Sequence, residues 1–92
     1  MRMFRYKRSI PVDYDTQGYI CFLLRRFHKL EKAEQKRLRE LCRKAAGMYG
    51  TGVLEYLTTD ADADYICARH HLSPSTLERM VKKVYVAVAD VI

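Results

Sequence analysis

Leu72-Ser73-Pro74 leaves the chain less freedom than any other three residues in it. Serine is a preferred helix N-cap, because its hydroxyl accepts from the N–H groups that open a helix. Proline suits the first helical position, where its missing N–H costs nothing. Before them, a helical run through Ile66 and Cys67 stops near Leu72. After them, Leu77, Met80, Val81 and Val84 recur at three- and four-residue steps. One helix therefore ends and another begins at once. Helices joined so tightly must cross at a large angle, with those four apolar side chains facing inward and Ser75, Glu78, Arg79 and Lys82 facing out.

The remainder has to support that joint. Ninety-two residues, 49% apolar and 30% charged, suffice for one globular domain and not for two. Residues 1–16 are expected to form a basic N-terminal arm: Arg2, Arg5, Lys7 and Arg8 alternate with Met3, Phe4 and Tyr6, and Pro11 discourages helix just before it. Residues 17–58 are read as helical support. Behind the capping candidates Asp13 to Thr16, a helix from Gln17 to Lys29 would bury a broad face of Tyr19, Ile20, Leu23, Leu24, Phe27 and Leu30. Glu31 to Ala46 is the clearest helix, with Leu38, Leu41, Cys42 and Ala45 inward and cations on the other faces. Glu40 is spaced to pair with Lys36 and Lys44, and Gly47 is the natural stop.

Tyr49 to Gly52 is expected to be flexible and Val53 to Leu57 a brief helix. Thr58 and Thr59 would then cap a helix whose first turns hold Asp60, Asp62 and Asp64. These alternating aspartates lack the glycine and distal glutamate of a calcium loop. No turn signal separates Val84 to Ile92 from Lys83, so the last helix continues to the end. Its apolar surface, Val84, Val88 and Val91 beside Tyr85, Ala89 and Ile92, is either buried against the first helix or forms a homodimer contact. The expected fold is all-α, a small bundle of four to five helices with a C-terminal helix-turn-helix in residues 59–92.

Charge narrows the function. Residues 1–50 carry 13 basic and 5 acidic side chains, residues 51–92 carry 4 and 6, so a basic half adjoins an acidic one. A basic half suits phosphate, whose condensed counterions are released on contact. Cys21, Cys42 and Cys67 have no zinc spacing and read as reduced core thiols, and no apolar run is long enough to span a membrane. A cytoplasmic, reducing location is expected. Catalysis is not: there is no nucleophile elbow, Walker loop or dinucleotide turn, and His70 and His71 would point about 100° apart on a helix. No metal, cofactor or small-molecule ligand is implied.

The run Ile66-Cys67, Leu72-Ser73-Pro74-Ser75-Thr76-Leu77, Arg79 and Lys82-Lys83 resembles the helix-turn-helix of bacterial transcription regulators, most of all the first such unit of the AraC-type family. The likeness spans about twenty residues. It implies binding to double-stranded DNA by a recognition helix from Pro74 to Lys83, with the small residue of the preceding helix at Cys67 and the apolar turn residue at Leu72. His71 stands where many such units have glycine, one unit is present rather than two, and an apolar tail replaces the polar turn that follows in the family. DNA contacts are then expected from Ser73, Ser75, Thr76, Glu78, Arg79, Lys82 and Lys83. Arg79 suits guanine, and Glu78 can accept from cytosine. Arg5, Lys7, Arg8, Lys36, Arg37, Arg43 and Lys44 are weaker phosphate anchors. The alternative is a helical protein-interaction or assembly module in which Ser73-Pro74 merely joins two helices. RNA recognition would call for aromatic stacking platforms, and the seven tyrosines look scattered along helices.

Overall fold

Apolar spacing of three and four residues builds five α-helices in the computed structural model, which describes residues 4–92. They are α1 (Tyr14–Arg25), α2 (Lys32–Ala46), α3 (Gly50–Thr58), α4 (Ala63–His70) and α5 (Pro74–Ala89), with short 3-10 turns at Phe27–Lys29 and Gly47–Tyr49. The fold is all-helical, with no strand among the described residues. None of these helices is long and apolar enough to cross a membrane. Arg2 and Met3 of the expected arm lie outside the described residues.

The core forms where α5 meets the other four helices. Ile20 and Leu24 of α1, Leu38 and Cys42 of α2, Val53 of α3 and Ile66 of α4 close around Leu77, Met80, Val81, Val84 and Val88 of α5. Burial pushes the Cys42 thiol up to about 11, so it stays protonated at neutral pH, as a core thiol should. Cys21 and Cys67 are free and half-buried. The inward face expected for α5 is the one observed, but the helix ends at Ala89, with Asp90 as its C-cap, rather than continuing to Ile92. Its apolar tail is covered by its own chain at Val84, Tyr85 and Val88. Only Val91 and Ile92, beyond the helix, are exposed, which leaves little apolar surface there for a subunit contact.

Several expectations are corrected. The first helix begins three residues earlier than Gln17 and gives way to the 3-10 turn after Arg25, because Asp13 caps it: its carboxylate accepts from the Thr16 N–H at 3.2 Å and the Thr16 hydroxyl at 2.7 Å. Tyr19 is 54% exposed, so the buried face is narrower than the run of apolar letters suggests. The stretch from Tyr49 to Gly52 is helical rather than flexible. Its glycines are there for close approach: a Cβ on Gly50 would stand 3.0 Å from the Cys42 carbonyl oxygen, where α3 folds back on α2. Thr58 and Thr59 do not cap the next helix. Their hydroxyls donate back to Leu54 and Glu55 carbonyls at 2.8 and 2.7 Å, which ends α3, and Asp62 caps α4 instead. Glu40 forms neither expected ion pair among the described residues.

Candidate nucleic-acid interface

Three residues join α4 to α5, and each has one task. The α4 backbone ends at His71, which takes the left-handed conformation, φ 57° and ψ 49°. Glycine ordinarily occupies that region; histidine enters it more readily than most residues with a side chain. The Leu72 N–H then reaches back to the Cys67 carbonyl at 3.1 Å, and its side chain is buried in the core. Ser73 opens α5: its Oγ accepts from the Thr76 N–H at 3.2 Å and donates to Thr76 Oγ1 at 2.9 Å. Pro74 follows in the first turn.

Behind this joint α4 is fastened to α3 by one carboxylate. The Glu55 carboxylate meets His70 Nε2 at 2.8 Å and Arg69 Nε at 3.4 Å. A Cβ on Gly52 would stand 2.8 Å from His70 Cγ, so glycine is what admits the imidazole between the helices. This bridge holds the end of α4 against α3.

The arm reaches the outer flank of α5 by way of one buried amide. Gln17, 1% exposed, accepts from the Lys7 N–H at its Oε1 (3.1 Å). Its Nε2 donates to the carbonyls of Val12 (2.8 Å) and Lys7 (2.9 Å), with Ile10 farther at 3.4 Å. Ile10 is buried in the core beside it. Residues 7–12 are thereby folded against α1, and a cleft of about 310 Å³ forms between them and α5. Lys7 and Ser9 line it from the arm, and Ser75, Glu78, Arg79 and Lys82 from the helix. Three cations and one carboxylate border it, all exposed to solvent.

Of the residues expected from sequence, the structure brings Ser75, Glu78, Arg79 and Lys82 together with Lys7. Ser73 and Thr76 are occupied in capping α5. Lys83 is exposed outside this cleft, Arg8 is exposed on the arm, and Arg5 lines a different cleft. Lys36, Arg37, Arg43 and Lys44 are exposed along α2, and none of them borders the cleft. Sequence reading missed Gln17. Its signal was present, since Gln17, Ile20 and Leu24 share the inner face of a helix at three- and four-residue steps. No family model, curated protein or solved structure matches the chain.

Proposed function

We propose that the chain binds double-stranded DNA as a small transcriptional regulator. In this reading α4 and α5 form a helix-turn-helix, and the first half of α5 lies in the major groove. The observation that carries the reading is the shared cleft, where an arm cation, Lys7, stands with Ser75, Arg79 and Lys82 on an uncovered helix flank. Arg79 is the group for a bidentate contact to guanine, Glu78 can accept from the cytosine amino group, and Lys7 and Lys82 are the cations offered to phosphates. The cations of α2 add long-range attraction without bordering the cleft. Occupying an operator would be the whole mechanism of regulation.

Anisotropy of a labelled mixed-sequence duplex tests this. At about 50 mM salt binding should be measurable and should weaken steeply as salt rises. Lys82→Ala should lower affinity on all sequences and reduce the salt slope by about one, whereas Arg79→Ala should relax preference at a guanine. Absence of binding at that salt would overturn the reading.

A second reading, the protein-interaction or assembly module, is favoured by the outer face of α1. Tyr14, Tyr19 and Phe22 are 62%, 54% and 59% exposed there, an apolar surface of the kind that marks contacts between proteins. Light scattering that gives a mass rising with concentration, and falling back in Tyr19→Ser/Phe22→Ser, would support it.

A further inference from the structure

We infer that the chain binds a small amphipathic carboxylate, an acid with an apolar body, in a second cleft beneath its N-terminal arm. This cleft, about 570 Å³, opens between the arm, α1, α3 and α5, and its volume falls in the range of small-molecule sites. Leu57, Val81 and Tyr85 give it an apolar side. Arg5, Lys7 and Arg25 give it three cations, and no carboxylate lines it among the described residues. Charge and apolar surface thus lie within one concavity, as they do in the proposed ligand.

Arg25 carries the argument furthest. It stands in the last turn of α1, half-buried, and neither it nor Arg5 nor Lys7 makes an ion pair among the described residues. A half-buried cation with no carboxylate beside it is open to an anionic partner. Arginine offers a planar fork that a carboxylate matches with two parallel hydrogen bonds. An apolar body attached to that carboxylate would lie along the side of the cleft formed by Leu57, Val81 and Tyr85. The arm itself is held over the site by Gln17, which lines the cleft while clamping Lys7. Lys7 and Ile10 also border the smaller cleft against α5, so a bound acid and a duplex would compete for Lys7. Only that last consequence rests on the DNA-binding reading.

The test is a titration of the isotope-labelled full chain, without DNA, by sodium octanoate and separately by 1-octanol, followed by amide chemical shifts. Octanoate should saturate, with the largest shifts at Cys21, Leu57 and Val81, and should bind about tenfold or more tightly than octanol, as a charge-assisted pair requires. Arg25→Gln should abolish that advantage and leave octanol binding unchanged. Shifts that do not saturate, shifts centred elsewhere, equal affinity for alcohol and acid, or an Arg25→Gln chain that binds octanoate as before would each overturn the proposal. Since the wild-type shift map needs no variant to fold and no duplex, its failure leaves the DNA-binding reading standing.

Discussion

The arm and α5 border the same cleft, and unlike forces hold them there. Six side chains of α5, Leu77, Met80, Val81, Val84, Tyr85 and Val88, are buried among the other helices. The arm has Ile10 in the core, Val12 packed against it and the Phe4 and Tyr6 rings beside Tyr14, and is otherwise tied down by the hydrogen bonds of one amide, Gln17. Apolar burial is shared with every neighbour, so α5 opens only when the whole domain opens. A clamp made of a few hydrogen bonds can release alone. The cleft therefore has a fixed wall that carries Arg79 and Lys82 and a detachable wall that carries Lys7.

The widest break in this comparison comes from the fixed wall. Leu77→Ala removes a buried side chain and leaves a cavity that its neighbours fill only in part, and should cost about 2–5 kcal/mol of global stability. Urea denaturation followed by circular dichroism would show it as a lower midpoint. Hydrogen exchange should quicken throughout the molecule, including at Val53 and Ile20. Protection that fell only in α5 would show that this wall is not continuous with the core.

The detachable wall predicts a smaller and more local effect. Gln17→Leu keeps the volume but leaves the Lys7 N–H and the Lys7 and Val12 carbonyls to water, at about 1–2 kcal/mol. Amide exchange should rise at Lys7, Ile10 and Val12 while Leu77 and Val84 stay protected. If the DNA-binding reading holds, duplex affinity should also fall although no cation has been removed. Exchange that quickened uniformly would place Gln17 in the global core and erase the distinction between the walls.

How far each wall can be read in the letters follows from the same physics. At the joint of α4 and α5 the governing interactions are local: Ser73 caps three residues ahead, Pro74 sets its own φ, and the inward stripe of α5 is a matter of spacing. His71 in the left-handed region was foreseeable, since a turn of that kind asks for glycine or a residue that tolerates its place. The arm is governed by contacts between residues five and ten apart, through a glutamine that composition treats as surface. Gly50 and Gly52 misled for a related reason. Glycine signals freedom where nothing is near it, and close approach where a neighbouring helix is, and only the packing of α3 on α2 and α4 distinguishes the two. The shared cleft was legible on the α5 side alone, because nothing in the sequence says that Lys7 folds back beside Arg79.

The smallest effect concerns how α5 and α1, the helix that follows the arm, begin. Ser73 caps α5 with a hydroxyl that does not titrate, whereas Asp13 caps α1 with a carboxylate. Hydrogen bonds from the Thr16 hydroxyl, and then from its backbone N–H, lower the Asp13 carboxyl below the ordinary aspartate value of 3.8. A group whose folded value is depressed stabilises the fold above its unfolded value, and loses that contribution as pH falls through the folded one. The window thus lies below pH 3.8, and acid should weaken the start of α1 while the start of α5 is untouched. Asp13→Asn keeps an acceptor and removes the titration. The thermal midpoint of the native chain, measured from pH 7 to pH 2, should fall relative to that of Asp13→Asn only at the acid end. Asp13 is fully exposed, so the gap should be small and further reduced by salt. A gap that stayed constant across the range would mean the carboxylate caps no better than an amide, and that both helices start from equivalent, pH-indifferent caps.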